Sequence, residues 1–340
     1  MARPLSTAQK EQTAAAVQRL ALADLDAATL LRRFARALHR VAPSDLYAAA
    51  TIDPASNLIT QAFAGTARED EQSRSVSAEW FDRFYFTETF DQTIALARQR
   101  RWAVTIGEVT GGRLDRSLCY REAMRPAGVA DKMHAIFFDR GLWGDIEFYR
   151  SSGSPPFRDD EVALVARVAP DVAAGLRHAA LRVRAESEAA NDTAPGVVMI
   201  DARGRVTATP AGERMLAGLG DLPPRWQEHG EVPVPVRVVL GALEHGPAGK
   251  PERGSAGQQL RVRARNGRWL TLHATRSEAT EFRPSERIVV ITPSRPQEIA
   301  WLGLAAYDLS PREEEVVRLV VGGQSTKQIS DRLFIAEHTV

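Results

Sequence analysis

The sequence predicts an α+β fold: two domains built on antiparallel sheets with flanking helices, followed by an incomplete all-α segment. Residues 8–294 alternate between runs with apolar side chains at helical spacing and short runs rich in β-branched residues. Asp53-Pro54 and Asn266-Gly267 supply turns between neighbouring strands. The last 32 residues, 309–340, carry two helix-start signals and no strand pattern.

The first part of the chain alternates helices and strands. The predicted elements are two helices within 8–41 with Asp24 or Asp26 as the cap between them, a strand pair over 46–65, an aromatic-rich helix over 77–100, an alternating run over 102–109, a short helix over 117–124, strands over 134–139 and 143–149, and a long helix from Asp159 to about Ala190. The last two strands join at Arg140-Gly141.

Three stretches of this part carry a resemblance to a known domain. They are Arg125-Pro126-Ala127-Gly128-Val129, residues 140–150 and Pro156-Phe157. Together with the order of the elements, they resemble a GAF domain over residues 26–182, preceded by an N-terminal helix over 1–25. The resemblance implies a sensory domain.

The long helix from Asp159 carries an apolar seam with spacings of 3, 4, 4, 3 and 4. Its members are Val165, Val168, Val172, Leu176, Ala179 and Val183. Two interpretations fit this spacing: a helix packed on its own domain, or a parallel dimer interface. Pro170 weakens the second interpretation because we expect proline to kink the seam.

The middle of the chain follows a helical linker over 183–193. The predicted elements are strands over 197–200 and 205–208, a helix from Pro210, a helix over 235–245, a hairpin over 259–274 and a strand over 288–292. This succession resembles a PAS domain over 194–294, with Thr209 where that family usually has asparagine. A connector over 295–308 follows.

The C-terminal segment reads as a helix-turn-helix. Ser310 and Glu313 form a capping box around Pro311, and Gly322-Gly323 supplies a left-handed helix exit. Ser325 and Gln328 form a second box. Glu337 opens a third helix with about one turn. Two capped helices and a tight turn into a third are the geometry that places a helix in the major groove of DNA.

This segment is similar to the LuxR/GerE-type DNA-binding domain. The matching residues are Leu309-Ser310-Pro311-Arg312-Glu313, Gly323, Ser325, Lys327, Ile329, Arg332-Leu333, Ile335 and His338-Thr339-Val340. The resemblance implies that Thr326 and Lys327 contact phosphate and that Thr339 and Val340 approach bases. Ala336 stands where the family usually has serine, so we expect a helix without a side-chain cap. Most of the recognition helix and the fourth helix of the family are absent.

The charge of the chain does not by itself indicate DNA binding. The chain has 44 basic and 43 acidic residues, a formal net charge of +1, so no global basic field attracts it to DNA. The helix-turn-helix segment has four basic residues against five acidic ones. We therefore expect specific binding to DNA only from a full-length protein that continues past Val340.

Several functional classes are excluded or disfavoured by what the sequence lacks. The single cysteine, Cys119, excludes internal disulfides and a cysteine-based zinc site. Phosphate-binding glycine loops and the HExxH and GxSxG motifs are missing, and the seven histidines show no ligand-like pairing. The acidic triplets 69–71 and 159–161 read as solvated loop or cap charges. We expect a cytoplasmic protein that is not an enzyme and holds no cofactor or metal.

An aromatic cluster is the candidate ligand site. Trp80 and Phe84 share one helical face with Thr87 or Glu88, and Phe81 and Tyr85 share the next. Packing in the core explains such a cluster as well as a wall of an apolar pocket does. The candidate ligand-binding residues are Trp80, Phe81, Phe84, Trp102, Cys119 and Phe137, with Trp143 nearby.

These observations favour a ligand-responsive transcription regulator, in which tandem GAF-like and PAS-like sensors control a LuxR-type reader of DNA. The expected partners are DNA, an unknown small-molecule ligand and a second copy of the chain, with RNA polymerase as a further candidate; no membrane contact is expected. One alternative is an interaction protein whose sensor-like domains bind no small molecule. Another is an autoinducer-responsive quorum-sensing regulator, faintly indicated by Trp80, Tyr85 and Asp91.

Overall fold

The computed structural model of the chain describes residues 4–66, 74–75, 78–181, 194–220, 222–245, 258–279, 285–295, 298–299 and 310–340. These residues form two antiparallel sheets, each flanked by helices, and a separate pair of helices at the end of the chain. The predicted α+β fold class is therefore confirmed. The acidic triplet 69–71, the linker 183–193 and most of the connector 295–308 lie outside the described residues.

The first sheet has six strands in the order β3-β2-β1-β6-β5-β4. The strands are β1 (Leu46–Asp53), β2 (Leu58–Gly65), β3 (Arg74–Ser75), β4 (Ala103–Thr105), β5 (Val129–Phe138) and β6 (Leu142–Ser151). Every pair is antiparallel. The Asp53-Pro54 turn joins β1 to β2 as predicted. Arg140, at φ +54°, opens the turn between β5 and β6.

One face of this sheet is covered by three helices: α1 (Thr7–Ala21), α2 (Ala27–His39) and α6 (Asp159–Leu181). Ser6 caps α1, and Asp26 caps α2 by accepting from the Thr29 amide at 2.9 Å. The described part of the α6 seam, from Val165 to Ala179, is buried in this helix-side core. These five residues therefore pack on their own domain, and α6 continues through Pro170.

The other face is covered by shorter helical segments. They are α3 (Ala78–Trp80), the π-helix Phe81–Thr89, called π1 below, α4 (Phe90–Arg98), α5 (Ile106–Thr110), a 3-10 turn (Leu114–Arg116) and a second π-helix (Tyr120–Met124). The aromatic stretch is helical as predicted, with the π-helical turns of Phe81–Thr89 between α3 and α4. One prediction needs correction here. Only Ala103–Thr105 of the alternating run 102–109 is a strand, because Thr105 and Glu108 form a capping box that starts α5.

The second sheet has five strands in the order β8-β7-β11-β10-β9. They are β7 (Gly196–Ile200), β8 (Val206–Ala208), β9 (Gln258–Arg263), β10 (Trp269–Arg276) and β11 (Arg287–Pro293), with helices α7 (Pro210–Leu219), α8 (Trp226–His229) and α9 (Val234–His245). Thr209 caps α7, and Gly267, at φ +89°, makes the predicted hairpin turn.

The two sheet domains share one continuous apolar core. Phe81, Tyr85 and Phe86 of π1 belong to the same buried cluster as Val236 and Val239 of α9. An interface this apolar holds two domains in a defined arrangement, whereas a polar one permits relative motion.

The last helices are α10 (Pro311–Val321) and α11 (Thr326–Leu333), followed by a 3-10 turn (Glu337–Thr339). Both predicted capping boxes are present: the Ser310 amide donates to Glu313 at 2.7 Å, and the Ser325 amide donates to Gln328 at 2.8 Å. Gly323 has φ +79°. Ala336 provides no side-chain cap, as expected.

Candidate functional site

The π1 helix places aromatic and acidic side chains on two different surfaces. Residues four apart lie on one face of it, so Trp80, Phe84 and Glu88 point towards Cys119, whereas Phe81 and Tyr85 enter the core shared with the second domain. The predicted division of faces holds for Phe84 against Phe81 and Tyr85, whereas Trp80 packs against both clusters. Segments of π-helix are rare and frequently lie at functional sites.

Beneath π1, the sheet carries a group of buried polar side chains. We call this group, together with its cover, the sheet-face site; it comprises Lys132, His134, Asp145, Glu147 and Tyr149 from β5 and β6, and Glu88, Ser117 and Cys119 from the cover. The strand residues alternate along β5 and β6, so they share the face opposite α6. Each strand residue except Tyr149 is less than a tenth exposed.

Two diagonal pairs across β5 and β6 organise the floor of the site. The Lys132 Nζ atom lies 2.7 Å from Oε1 of Glu147, and the Tyr149 hydroxyl donates to the other carboxylate oxygen. His134 Nε2 lies 3.1 Å from Oδ2 of Asp145. The Nδ1 atom of His134 is buried and makes no hydrogen bond within the described residues.

The cover of the site is held by the Glu88 carboxylate. It accepts hydrogen bonds from the Ser117 hydroxyl and from the Cys119 amide, the latter at 2.9 Å. Ser117 Oγ also accepts from the Tyr120 amide at 3.0 Å. Glu88 therefore joins π1 to the 117–124 segment, so a movement of either element breaks these bonds.

Burial and charge pairing shift the proton affinities of the floor groups. Burial is the largest single effect and disfavours the charged forms of Lys132 and Glu147. Their attraction and hydrogen bond, added to smaller effects of neighbouring groups, outweigh it, so the pKa of Lys132 is raised and the pKa of Glu147 is lowered to about 2. Burial raises the pKa of Asp145 despite the bond to His134. Lys132 and Glu147 therefore form a charged pair in a region with little water.

Cys119 behaves as a buried thiol. Burial, with smaller contributions from Glu147 and Glu88, raises its pKa to about 11, against the opposing effects of Lys132 and a hydrogen bond from Trp80. The thiolate is the reactive form of cysteine. The buried Cys119 thiol is therefore protonated and unreactive in this environment.

The structure brings together only some of the predicted ligand-binding residues. Trp80, Phe84 and Cys119 meet in one apolar cluster over the sheet-face site. Phe81 belongs to the core between the domains. Phe137 and Trp143 lie in the helix-side core, on the opposite face of the sheet, and Trp102 packs against that core while stacking on Phe138 at 3.7 Å. A single cavity lined by all of them is therefore excluded by the alternation of side chains along β5 and β6.

Sequence reasoning missed the charged floor of the site. Lys132 and His134 alternate on β5, and Asp145 and Glu147 alternate on β6, within strands that are buried on both faces. Polar residues at period two within such strands are a usable signal, since buried charges occur mainly in pairs. Asp91, which belonged to the quorum-sensing alternative, is exposed on α4 and does not join the site.

A second correction concerns the acidic start of α6. Glu161 was read as a solvated loop or cap charge. It accepts from the Arg158 amide at 2.8 Å, as a cap residue does, but it is 1% exposed and lies 3.1 Å from the Arg150 guanidinium. Arg150 also donates to the carbonyl oxygens of Pro43, Pro155 and Pro156. These contacts fix the start of α6 to the end of the central strand β6.

The face of π1 that turns away from the site contacts the second domain. Asp82 pairs with Arg237 of α9 at 3.1 Å. The Phe86 ring stacks on His245 of α9, with ring centroids 5.2 Å apart and planes within 9°. One helix therefore touches both the polar site and the neighbouring domain.

The predicted DNA-contacting residues lie at the surface of the helix-turn-helix. Thr326 and Lys327 are exposed in the first turn of α11, Thr339 is exposed in the final 3-10 turn, and Val340 is half-buried. Ile329 and Leu333 form the buried side of α11. The Arg312 guanidinium donates to the Leu333 carbonyl and so links α10 to the end of α11.

Among the described residues, none of the helices has the length and apolar character needed to span a bilayer. In that same part of the chain, no three histidine, cysteine or acidic side chains are grouped in a way that could hold a metal ion.

Comparison with protein families identifies the end of the chain. Residues 308–340 match the family described as bacterial regulatory proteins, luxR family (GerE). A DNA-binding domain of this family implies a transcription regulator and points away from an enzyme. No curated protein sequence matches the chain.

Three solved structures match parts of the chain at low identity. The GAF domain/HD domain protein from Geobacter sulfurreducens is 15% identical, with 49% of this chain and 99% of that one covered and a TM-score of 0.31. The VqsR LBD domain from Pseudomonas aeruginosa is 18% identical, with 51% and 94% covered and a TM-score of 0.33. The bacteriophytochrome RpBphP3 from R. palustris is 14% identical, with 85% and 63% covered and a TM-score of 0.39.

Proposed function

We propose that this transcription regulator responds to a small molecule bound at the sheet-face site. The observation that supports the proposal is the position of π1, which contributes Phe84 and Glu88 to the site and Asp82 and Phe86 to the contact with α9. A ligand that displaces Glu88 from the Ser117 hydroxyl and the Cys119 amide changes the position of π1. The second domain responds through the same helix.

The chemistry of the site fits a small ligand with polar groups. Its walls are apolar, from Trp80, Phe84 and Met124, and its floor presents a cation, an anion and the free Nδ1 atom of His134. Ligand sites typically combine an apolar lining with a few fixed polar groups. The groups are buried without a ligand, so binding selects a conformation in which the cover has opened.

The proposal is tested by native mass spectrometry of the protein purified from the cells that produce it. We expect a bound small molecule in the wild-type protein and none in the Trp80→Ala/Phe84→Ala variant. Circular dichroism checks that this variant is folded, and Leu22→Ala, at a side chain 76% exposed, is the matched control. The proposal would be contradicted if the wild-type protein carried no bound small molecule and the target promoters responded in the same way to the wild-type protein and to the double variant.

The coupling step has its own readout. Hydrogen–deuterium exchange of the α9 amides reports how tightly α9 is held. We expect Phe84→Ala to accelerate this exchange because Phe84 lies on π1, whereas Ile106→Ala, in the same apolar cluster but on α5, leaves it unchanged. Equal exchange in both variants would show that π1 does not carry the signal.

DNA is the proposed target of the response, and homodimerisation would supply two readers for two half-sites. The α6 seam is buried within its own domain from Val165 to Ala179, so a dimer requires another surface.

Lys327→Ala in the chromosomal gene should reduce regulation of the target promoters, since a lysine near a helix N-terminus contacts phosphate. Contact with RNA polymerase remains a further proposal. A regulator that binds only proteins would show no bound small molecule in the mass-spectrometric test.

A further inference from the structure

A groove of about 1290 Å³ runs between the two sheet domains, apart from the sheet-face site. The first domain contributes the α1–α2 connection, the turn after β1 and the end of α6. The second contributes residues 231–237 and the β9–β10 hairpin. Typical ligand pockets occupy about 300–1,000 Å³, so this groove has room for a drug-sized molecule and water.

The polar lining of the groove includes several guanidinium groups. Five arginines line it, against four acidic residues and no lysine: Arg32, Arg237, Arg261, Arg263 and Arg265. Arg32 belongs to the first domain and the other four to the second. Arginine is the side chain best suited to bind carboxylate, sulfonate or phosphate groups, because its planar fork presents paired N–H donors.

Arg261 is the member of this set with unused donor capacity. Its side chain is 16% exposed, and its Nη1 atom lies 3.6 Å from Oδ2 of Asp53. The Asp53 carboxylate already accepts from Ser56 Oγ at 2.8 Å and from the Ala55 amide at 3.1 Å. The Nε atom of Arg261 is buried and makes no hydrogen bond within the described residues. A buried N–H donor without a partner is destabilising until an acceptor reaches it.

Apolar and aromatic side chains also line the groove. Phe63 and Trp143 contribute from the first sheet, and Trp269 contributes from the second. Arg32 lies over the Phe63 ring at 5.1 Å, so this cation is already placed next to an aromatic surface. Cationic and aromatic groups on the same walls are complementary to a flat or aliphatic body that carries an anionic group.

We propose that the groove binds a small organic anion with an aromatic or aliphatic body, with Arg261 as its anchor and Arg32 on the facing domain. A molecule bound there contacts both domains at once. The groove includes neither Lys132, Glu147 nor Cys119, so this proposal is independent of a ligand at the sheet-face site.

The probe for the test is 8-anilinonaphthalene-1-sulfonate, whose fluorescence rises in apolar surroundings, and N-phenyl-1-naphthylamine is its uncharged counterpart. We expect saturable binding of the sulfonate to the whole chain and much weaker binding of the amine. Arg261→Gln and Arg32→Gln should each weaken sulfonate binding about 10-fold or more, since a charge-assisted hydrogen bond contributes that much. Ala180→Trp, which fills the groove from α6, should abolish it.

Arg205→Gln is the matched control, because Arg205 is an exposed arginine that does not line the groove. Circular dichroism and thermal melting establish that each variant is folded. If Arg261→Gln fails to fold, Arg32→Gln and Ala180→Trp decide the question. Non-saturable binding, equal affinity for the uncharged amine, or unchanged affinity in Arg32→Gln and Ala180→Trp would overturn the proposal.

Discussion

Phe86 of π1 stacks on His245 of α9, with the two rings nearly parallel and 5.2 Å apart. The contact is close because Gly241, one turn before His245, presents no side chain: a Cβ atom there would lie 2.4 Å from Cε2 of Phe86. The π-helix of the first domain therefore rests directly on the backbone of α9. This close approach defines the position of the second domain relative to the sheet-face site.

Gly241→Ala tests this contact. The added methyl group forces π1 and α9 apart, so we expect the free energy of unfolding to fall by roughly 1–3 kcal/mol, as overpacking does. The measurement is urea denaturation followed by circular dichroism.

Gly218→Ala in α7 is the matched control for that substitution. Its Cβ atom would meet only the Cβ atom of Ala264, at 3.6 Å, which is an ordinary contact. The alanine should therefore stabilise the helix by about 0.5–1 kcal/mol. Equal stability of the two alanine variants would contradict the close packing of π1 on α9.

The stability of the folded protein should depend strongly on both members of the Lys132–Glu147 pair. Lys132→Met leaves the buried Glu147 carboxylate without its cation, so we expect a loss of roughly 3–5 kcal/mol in the free energy of unfolding. Lys132→Met combined with Glu147→Gln removes both charges and keeps an acceptor for the Tyr149 hydroxyl. Chemical denaturation should show that the double variant is the more stable of the two.

Lys327→Met, at an exposed lysine, is the control and should change stability by less than about 0.5 kcal/mol. If the single and double variants at the buried pair lost the same stability, charge pairing would not be the reason for the loss.

The same pair predicts a loss of stability in acid. The pKa of Glu147 is about 2 in the folded protein and 4.5 as its ordinary value, so the unfolded chain binds this proton more tightly. The contribution of Glu147 is therefore complete above pH 4.5 and is lost as the pH falls towards 2. A difference of one unit between the folded and unfolded pKa corresponds to about 1.4 kcal/mol, so the free energy of unfolding falls by ~3 kcal/mol.

Urea midpoints at pH 6, 5, 4 and 3 measure this dependence. Between pH 5 and pH 3, the wild-type protein should lose more stability than Glu147→Gln, in which the group cannot titrate. Parallel curves for the two proteins would show that Glu147 has the same pKa in the folded and unfolded states.

Cys119 provides a direct probe of whether the sheet-face site is closed. Its pKa of about 11, against an ordinary 9.0, lowers the thiolate fraction at pH 8 by about 100-fold, and burial restricts access further. We expect labelling by 5,5′-dithiobis(2-nitrobenzoate) to be at least ~100-fold slower in the native protein than in urea. Equal rates would show that the cover over Cys119 opens freely without a ligand.

Local structure was largely predictable because its causes lie within a few residues. Ser325 and Gln328 form their capping box between neighbours three positions apart, and Asn266-Gly267 forms its turn from two adjacent residues. The alternation along β5 and β6 likewise follows from the strand period. The α+β fold class and the helix-turn-helix could therefore be derived from the chain alone.

The sites depended on contacts that no local pattern encodes. Lys132 meets Glu147 because β5 and β6 pair in one register, and a shift of either strand by one residue would place the two side chains on opposite faces of the sheet. Phe137 lies outside the site because its place in the alternation of β5 puts it on the helix side, whereas Trp143 reaches the same side at the irregularity in the β5–β6 register. The Arg261 amide meets Asp53 across 208 positions of the chain, through the packing of one domain on the other.

The sequence by itself determined the order of the elements, the helix caps and the identity of the C-terminal DNA-binding domain, since these follow from short-range hydrogen bonding and residue spacing. The tertiary structure decided which charges are buried together, which face of the aromatic stretch meets the polar site and which meets α9. The physical reason is that burial and electrostatic pairing depend on neighbours distant in the chain, which only the packed domains bring into contact.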